Sequence, residues 1–164
     1  MCMIETERLI LRKLKESDGN DLVEILTNPM VSRFLAGGKD ISEETARRWP
    51  SSSKQKWIDN GYGVFGVVEK TTNKVIGYCG FAPFKDGQEL LYGYHQDVWG
   101  KGYGTEAGKA ALDFAKANYD WQKLYGISWP QNSGSIGLLT KLGFKYVGQS
   151  EYFEVMMNDY ELVL

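Results

Sequence analysis

The sequence feature that most constrains the fold is the stretch VWGKGYGTEA at residues 98–107, in which three glycines directly precede an alanine-rich run. Glycine adopts main-chain conformations that other residues rarely reach, and its missing Cβ lets a ligand approach the backbone. A helix that begins here would present unpaired N–H groups and a partial positive charge, which attract anions. The stretch therefore predicts a phosphate-binding turn between a strand and a helix. A turn whose glycines serve only close packing is the alternative.

Two other phosphate-binding patterns do not fit this stretch. The P-loop pattern G-x-x-x-x-G-K-[ST] is absent from the sequence. Gly102, Gly104 and Ala107 match the dinucleotide pattern G-x-G-x-x-A, but that pattern should follow the first strand of a β-α-β unit, and here four predicted strands precede it. The next predicted strand, residues 123–129, also lacks an acidic residue at its end to hold a ribose. A nicotinamide-dependent oxidoreductase is therefore the least favoured function.

Short apolar and alternating runs predict a sheet, with helical patterns between the strands. Strands are predicted at residues 8–13, 64–69, 75–81, 89–95, 123–129, 145–152 and 153–163, with turns at 71–74 and 82–88. Helices are predicted at residues 18–26, 105–117 and 133–142. Between Ser42 and Ile58 we expect a kink or two short helices, because Pro50 and three serines interrupt the pattern. This order predicts a mixed α+β fold: about seven mostly antiparallel strands, with helices on both faces.

Length and composition exclude several classes of protein. The 164 residues suit one domain, residues 1–164, with its own core. Nineteen Lys plus Arg against 21 Asp plus Glu argue against a nucleic-acid partner bound through bulk charge. We expect neither a signal peptide nor a membrane span. Cys2 and Cys79 have no zinc-site spacing, so we expect no metal, no disulfide framework and a cytoplasmic location.

Three segments resemble one enzyme family. ELLYGYHQDVWGKGYGTEAGKAALDFAK, residues 89–116, resembles the acetyl-CoA-binding core of the GNAT superfamily of N-acetyltransferases, nearest to its RimJ/RimL branch of ribosomal-protein N-terminal acetyltransferases. PQNSGSIGLLTKLGF, residues 130–144, resembles the family's N-x-x-S…K-x-G-F helix, and ETERLILRKLKESD, residues 5–18, resembles the branch's first strand and turn. The matching positions are Glu89, Trp99, Gly100, Lys101, Gly102, Tyr103, Thr105, Glu106, Ala107, Asn132, Ser135, Lys141, Gly143 and Phe144.

The resemblance implies a sheet whose fourth and fifth strands splay apart and hold acetyl-CoA in the gap between them, with no metal. The pantetheine arm would pair with main-chain groups just before the glycine-rich turn and near residues 128–129. The diphosphate would lie on N–H groups of that turn. The implied cofactor-binding residues are Gln96, Asp97, Val98, Lys101, Gly102, Tyr103, Gly104, Thr105, Asn132 and Ser135.

The implied reaction is direct transfer of an acetyl group to an amine, either a protein N-terminus or a small molecule. An ammonium is not a nucleophile, so a base is needed; Glu89, acting through water, is the first candidate and His95 the second. Ser135 is the candidate acid, because Leu139 stands where many family members carry a tyrosine. The Val98 amide is the candidate donor to the oxyanion. Each residue also has an alternative role. Glu89 could be a surface carboxylate and His95 a hydrogen-bonded histidine at a strand end. Ser135 could only bind the cofactor or pack against its helix.

The acceptor side is expected to come from the first helices, the loop between them and the last hairpin. The candidate substrate-binding residues are Phe34, Trp57, Phe84 and Tyr152. The core is the alternative place for each of these aromatic side chains. Leu91 and Gly93 replace a glycine and a large aromatic residue of the branch, which argues against a ribosomal-protein substrate. A module that binds acyl-CoA without turnover is the alternative function, and the oligomeric state is open, with a homodimer as one option.

Overall fold

A computed structural model describes residues 3–164, which form one eight-stranded sheet flanked by helices; Cys2 lies outside the described residues. The strands are β1 Met3–Glu5, β2 Leu9–Lys13, β3 Val64–Glu69, β4 Lys74–Phe84, β5 Gly87–Tyr94, β6 Lys123–Ser128, β7 Lys145–Tyr152 and β8 Val155–Val163. Their order across the sheet is β1-β2-β3-β4-β5-β6-β8-β7. Neighbouring strands are antiparallel except β5 and β6, which are parallel.

The sheet contains the seven predicted strands and one more. β1 was not predicted because its three residues, MIE, are too few to show an alternating pattern. It pairs with β2 in antiparallel register, with Met3 opposite Arg12. The predicted fold class, a mixed and mostly antiparallel sheet with helices on both faces, is confirmed.

Within residues 3–164, five α-helices connect the strands: α1 Gly19–Leu26, α2 Pro29–Ser32, α3 Glu43–Asn60, α4 Tyr103–Asn118 and α5 Ser133–Lys141. α3 runs continuously through Pro50, so the expected division into two short helices is wrong. Its buried residues, Ala46, Pro50, Ser53 and Trp57, recur at helical spacing. Burial of this face offsets the loss of the one hydrogen bond that proline cannot make. Ser42 caps the helix, its Oγ accepting the Thr45 N–H at 3.1 Å.

Two hydrophobic cores lie on opposite faces of the sheet. Successive residues of β3 show this, because Val64 packs in the core with α1 and α3, whereas Phe65 packs in the core with α4 and α5. Leu22 of α1 is buried in the first of these cores, and Leu112 of α4 in the second. The two faces of any one strand therefore have different surroundings, and the helices contacted depend on the face.

Two hairpin turns use left-handed backbone at residues other than glycine. The turn predicted within residues 82–88 is present but shorter than predicted: Lys85 and Asp86 form it, and the other residues of the range belong to β4 and β5. Lys85 has a φ of 51°, and Phe153 and Glu154, between β7 and β8, have φ of 52° and 65°. Such values are uncommon for residues with a Cβ, so the sequence does not show which residues form these two turns. The strand prediction for 153–154 is wrong, because these two residues form the turn.

The parallel junction between β5 and β6 is the point where the sheet opens. A single register pair joins the two strands, Glu89 opposite Tyr125. On its other side β6 pairs with β8 along its whole length, from Lys123 to Ser128. The two strands therefore part after Glu89, and the predicted splay is confirmed.

Neither a membrane-spanning helix nor a metal cluster occurs in the described part of the chain. No helix within residues 3–164 combines the length and the apolar content that crossing a bilayer requires. In the same range, no three His, Cys, Asp or Glu side chains are grouped so that they could hold a metal ion. Cys79 is a buried free thiol.

Candidate active site

Glu89 lies where β5 and β6 part, and we call the gap beyond it the slot. Its Oε2 atom is buried and has no hydrogen-bond partner in the described part of the chain. Burial disfavours the charged form and raises the pKa of Glu89 from 4.5 to about 7. A carboxyl group with this pKa gains and loses its proton near neutral pH, which suits acid–base chemistry.

His95, the second candidate base, lies just past the other end of β5. Its Nδ1 accepts the Asp97 N–H at 3.1 Å, and its Nε2 lies 4.0 Å from Oε2 of Glu24 on α1. Six residues of strand separate His95 from Glu89, a distance of about 20 Å. The structure therefore does not bring the two candidate bases together, and Glu89 alone lies at the junction of the two strands.

The main chain at residues 96–98 forms a single 3₁₀ turn, Gln96–Val98. The Val98 N–H donates to the His95 carbonyl at 3.1 Å, so the expectation that this amide is free for an oxyanion is wrong. The Asp97 N–H is taken by His95 Nδ1. Within residues 3–164, the Gln96 N–H and the carbonyls of Asp97 and Val98 have no hydrogen-bond partner, so these groups are available to pair with an extended ligand.

The glycine-rich turn ends in free N–H donors at the start of α4. Gly100 and Gly102 have φ of 79° and 80°, the left-handed conformation that glycine adopts at least cost. The first helical bond of α4 is from the Glu106 N–H to the Gly102 carbonyl, at 3.1 Å. Within the described chain, the N–H groups of residues 100–105 donate to no protein acceptor. This cluster of free donors at a helix N-terminus has the chemistry that an anion site requires.

Glycine is needed at position 104 for a different reason than at positions 100 and 102. Gly104 lies in the first turn of α4 with an ordinary helical φ, and a Cβ placed on it would lie 3.2 Å from Leu138 of α5 and 3.4 Å from Tyr94 of β5. Close packing therefore explains Gly104, whereas backbone conformation explains Gly102. The alternative interpretation, in which glycine serves close packing, therefore holds for Gly104.

An ion pair that was not predicted, between Arg8 and Glu106, links the glycine-rich turn to the N-terminal part of the chain; we call this contact the brace. Arg8 Nε donates to Glu106 Oε1 at 2.7 Å, and its Nη1 donates to the Lys101 carbonyl at 2.8 Å. Glu106 Oε2 also accepts from Thr6 Oγ1 at 2.5 Å and from the Arg8 N–H at 2.9 Å. Burial opposes ionisation, but these bonds hold the pKa of Glu106 below its usual value. The carboxylate thus fixes the turn against the loop between β1 and β2.

Tyr103 belongs to the same brace. Its ring lies under the Arg8 guanidinium, with 4.3 Å from Cζ to the ring centroid, and its hydroxyl donates to Glu69 Oε2 at 2.6 Å. The side chain is therefore occupied in structural contacts, and the N–H is the part of Tyr103 that faces no protein acceptor. The exposed Lys101 contributes its carbonyl to Arg8.

The opposite wall of the slot begins at the N-terminus of α5. Asn132 caps this helix, its Oδ1 accepting the Ser135 N–H at 3.1 Å. Ser135 Oγ lies 2.6 Å from the hydroxyl of Tyr92, which projects from β5. Burial raises the pKa of Tyr92 above its ordinary value, so this hydroxyl stays protonated. Tyr92 was not among the predicted site residues, although it lies within the segment that carried the family resemblance. Leu139, at the position where many family members carry a tyrosine, is a core residue.

Two predicted acceptor residues, Phe84 of β4 and Tyr152 of β7, are in ring contact with each other. Their ring centroids are 5.4 Å apart, and Phe84 also packs against Tyr125, the register partner of Glu89, at 5.6 Å. No local sequence pattern places Tyr125 here, because its position depends on which strand lies beside β5. These three rings border the junction that holds Glu89.

The other two predicted acceptor residues lie elsewhere. Trp57 is 7% exposed, packs on Phe65 and donates from Nε1 to the Val64 carbonyl at 3.0 Å. It is a core residue, and the expectation that it lines an acceptor groove is wrong. Phe34 is half-buried under the guanidinium of Arg33, 4.5 Å from Cζ to its centroid.

Gly93 is explained by a tyrosine on the next strand. A Cβ on Gly93 would lie 2.6 Å from the hydroxyl of Tyr78, its register partner on β4. Tyr78 is buried and packs against Trp49, with 4.9 Å between centroids. The side chain of Tyr78 therefore fills the volume that a large side chain at position 93 would occupy. The surface next to Leu91 is thus formed from β4 instead of β5.

Comparisons with known proteins agree with this geometry. A family model for the acetyltransferase (GNAT) domain matches residues 8–145. The chain is 28% identical over 159 residues to an uncharacterized N-acetyltransferase, p20, of Bacillus licheniformis, covering 95% of this chain and 85% of that protein.

Solved structures share the whole fold. A GNAT-family acetyltransferase from Bacillus anthracis gives a TM-score of 0.86 at 19% identity and covers 99% of this chain and 98% of its own. RimL, a ribosomal L7/L12 alpha-N-protein acetyltransferase in complex with coenzyme A, gives 0.83 at 16% identity and covers 99% and 98%. At these identities the likeness concerns the fold alone.

Proposed function

The chain belongs to the GNAT acetyltransferase family, and we propose that it transfers an acetyl group from acetyl-CoA to a primary amine by direct attack of the amine. The single observation that carries this proposal is Glu89, a half-buried residue whose Oε2 is buried without a hydrogen-bond partner in residues 3–164, with a pKa of about 7, at the point where β5 and β6 part. The acceptor is a small-molecule amine or a peptide N-terminus.

The residues present fit coenzyme A. The N–H groups of residues 100–105 would hold the diphosphate, because they are free donors at a helix N-terminus. Gln96, Asp97 and Val98 would offer their unpaired main-chain groups to the pantetheine arm, and Asn132 its amide nitrogen, since its oxygen caps α5. When bound, the cofactor supplies the acetyl group as an activated thioester.

Glu89 is the proposed base. An alkylammonium has a pKa near 10, so only about one molecule in a thousand is a free amine at pH 7. Glu89 accepts one proton from the ammonium, directly or through water, and the nitrogen can then bond to the acetyl carbon. A second proton leaves the nitrogen as the amide forms, and one of the two is released to solvent. The pKa of about 7 lets Glu89 return its proton to water between turnovers.

Ser135 is the proposed acid, positioned by Tyr92. When the Tyr92 hydroxyl donates to Ser135 Oγ across 2.6 Å, the Ser135 hydroxyl hydrogen is free to point into the slot. Ser135 would donate that proton to the sulfur as the carbon–sulfur bond breaks, and regain one from Tyr92 and solvent. This hydroxyl pair supports turnover, because it provides a donor where the family's helix tyrosine is replaced by Leu139.

The test is thiol release from acetyl-CoA across a panel of amines, measured with wild type, Glu89→Gln and Glu151→Gln. Wild-type kcat/KM should rise with pH through an inflection near 7, and Glu89→Gln should lose the inflection with a fall on the order of 10²-fold or more. Glu151, an exposed carboxylate on β7, is the matched control and should keep the profile. Tight acetyl-CoA binding without thiol release from any amine would overturn the proposal in favour of a non-catalytic binding module.

A further inference from the structure

The ammonium group of Lys85 lies against three aromatic rings beside the slot. The ammonium nitrogen of Lys85 is 5.5, 5.3 and 5.7 Å from the ring centroids of Phe84, Tyr125 and Tyr152. Asp159 Oδ1 is 4.0 Å from the same nitrogen. We call Phe84, Tyr125, Tyr152 and Asp159 the aromatic cage. Aromatic faces together with a carboxylate are surroundings that bind alkylammonium ions.

Hydrogen bonds fix the polar ends of the cage. The Tyr152 hydroxyl donates to Asp159 Oδ1 at 2.6 Å, and Ser150 Oγ donates to Oδ2 at 2.5 Å. The Tyr125 hydroxyl donates to Asp86 at 2.5 Å. Because both tyrosines are anchored at their hydroxyls, the cage is held together by contacts that do not involve its lysine occupant.

Asp159 is a buried charge that Lys85 compensates only weakly. Asp159 is 8% exposed, whereas the Lys85 side chain is 43% exposed, on a hairpin turn. Among residues 3–164, Lys85 is the one cation within ion-pair distance of this carboxylate, and it stands at the limit of that distance. A buried carboxylate is stabilised by a close cation. An ammonium ion held closer to Asp159 than the 4.0 Å of Lys85 would therefore gain more from this carboxylate than Lys85 does.

The cage lies on the same face of the sheet as Glu89 and one strand away. Tyr125 is the register partner of Glu89 across the β5–β6 junction, and register partners project from the same face. Glu89 is also opposite Ala82 of β4, so Phe84, two residues on, projects from this face as well. Strand spacing and rise place the cage about 5–10 Å from Glu89. A short alkyl chain can span that distance.

We propose that the aromatic cage binds a second ammonium group of the acetyl acceptor while the reacting amine lies at Glu89. This inference rests on the proposed acetyl transfer and specifies its substrate class: an alkyl chain with two ammonium groups, free as a diamine or carried by a peptide as an amino terminus and a nearby lysine. Lys85 occupies the cage in the free protein and leaves it when the acceptor binds. The caged ammonium keeps its protons and takes no part in the bond changes.

The kinetic test compares acceptors that differ by one ammonium group. Wild type should prefer 1,4-diaminobutane to 1-aminobutane in kcat/KM by at least about tenfold, well beyond the twofold due to two equivalent amines. Lys85→Ala should raise this ratio, because the competing occupant is gone, whereas Phe84→Leu and Tyr152→Leu should lower it towards two. A lysine-containing dipeptide and its norleucine counterpart form the peptide arm, and the pair with the larger ratio identifies the source.

Lys123→Ala is the matched control for this series. Its Nζ lies 4.7 Å from the Tyr125 centroid and 3.2 Å from Glu161, so the variant removes a positive charge beside the cage without emptying it. The diamine ratio should change less than about twofold. An equal rise in Lys85→Ala and Lys123→Ala would show a general charge effect and overturn the displacement of Lys85.

A second readout needs no catalysis. The ε-methylene NMR signal of Lys85, assigned by its absence in Lys85→Ala, should be shifted by the rings and move towards that of free lysine when tetramethylammonium chloride is added. Sodium chloride at equal ionic strength should leave it in place. Displacement without acetyl transfer to any amine would support the cage and overturn the proposed function. Acetyl transfer with a diamine ratio near two, or with an unmoved Lys85 signal, would overturn the cage and leave the proposed function intact.

Discussion

At the scale of single residues, the raised pKa of Glu89 comes from burial without a hydrogen-bond donor to Oε2 among the described residues. A surface carboxylate is solvated or paired, and its pKa stays near 4.5 or falls. Glu89 Oε2 is buried with no donor in the described chain, so the charged form is disfavoured. Asp18 shows the contrast within the same molecule: it is also buried, but Arg12 and the Lys15 N–H donate to it and hold its pKa below the usual value.

Glu89→Gln should stabilise the protein at high pH and much less at low pH. The unfolded chain ionises Glu89 from about pH 4.5, whereas the folded protein holds the proton until about pH 7. The wild-type free energy of unfolding therefore falls as pH rises from 4.5 to 7, and the glutamine variant lacks this decline. The gain at pH 9 should be about 3 kcal/mol. Urea unfolding at pH 4 and pH 9 measures it, and an equal effect at both would contradict the assigned burial.

Tyr92→Phe and Ser135→Ala should each lower kcat, and the double variant should be little worse than Ser135→Ala alone. The two hydroxyls act as one unit, since Tyr92 works through Ser135. The acetyl-CoA dissociation constant should change less than kcat. Thr140→Ala, which removes a hydroxyl from the same helix that donates to the Ile136 carbonyl, is the control and should leave kcat unchanged. Multiplicative losses in the double variant would separate the roles of the two hydroxyls.

At the scale of elements, the N-terminus of α4 requires glycine for two separate reasons, backbone conformation and close packing. The turn before it needs left-handed backbone at Gly100 and Gly102, and the first helical turn needs room against α5 at Gly104. The Arg8–Glu106 pair ties the result to the β1–β2 loop. The glycine-rich turn, the proposed anion site, is thus held by packing on one side and by an ion pair on the other.

Gly102→Ala should weaken acetyl-CoA binding, whereas Gly61→Ala should not. Both glycines have nearly the same φ, 80° and 76°, and a Cβ would meet only Arg8 Nη2 at 3.4 Å in the first case and nothing within 4 Å in the second. Each variant should lose about 1 kcal/mol of stability from strained backbone. Only Gly102→Ala should lower affinity in calorimetry, by about tenfold. Equal affinities in the two variants would show that the turn does not hold the cofactor.

Glu106→Gln should loosen the same turn through its brace. The variant removes the charge that holds Arg8 and leaves the guanidinium without its carboxylate. Arg8 is 40% exposed, so the loss of stability should be about 1 kcal/mol rather than that of a buried pair. Acetyl-CoA should dissociate several-fold faster in stopped-flow measurements. Glu43→Gln breaks an exposed ion pair with Arg47 on α3 and is the matched control; an equal effect there would contradict the brace.

The elements were predictable wherever a repeating pattern was long enough. β3 is where its apolar run placed it, and α4 begins within two residues of its predicted start. The failures have local physical causes. Lys85 and Phe153 take left-handed backbone without being glycine, so the exact residues of their turns were not predictable. α3 is continuous because tertiary burial outweighs the break that Pro50 predicts in isolation.

At the scale of the whole molecule, the slot lies at the one parallel junction of the described sheet, between two separate cores. β5 is fixed to β4 along its length and β6 to β8, so the gap between β5 and β6 is held open by the rest of the sheet. A cofactor that fills the slot bridges two otherwise weakly joined halves. Bound acetyl-CoA should therefore raise the stability of the whole fold.

The contacts that complete the site join distant parts of the sequence. Arg8 and Glu106 are 98 residues apart, and Tyr92 and Ser135 are 43 apart. The glycine-rich turn was visible because its residues are adjacent, and Glu89 because it matches an acidic position of the family that the sequence resembles. The aromatic cage draws on β4, β6, β7 and β8, and no local pattern shows which strands lie side by side.

Amide hydrogen exchange with and without acetyl-CoA tests the central claim most directly. In the free protein the N–H groups of residues 100–105 have no protein acceptor, so they should exchange rapidly. Saturating acetyl-CoA should slow exchange at these positions most strongly, while the turn at Gly61, with its similar backbone, should not change. Binding of acetyl-CoA that leaves exchange at residues 100–105 unchanged would contradict the account.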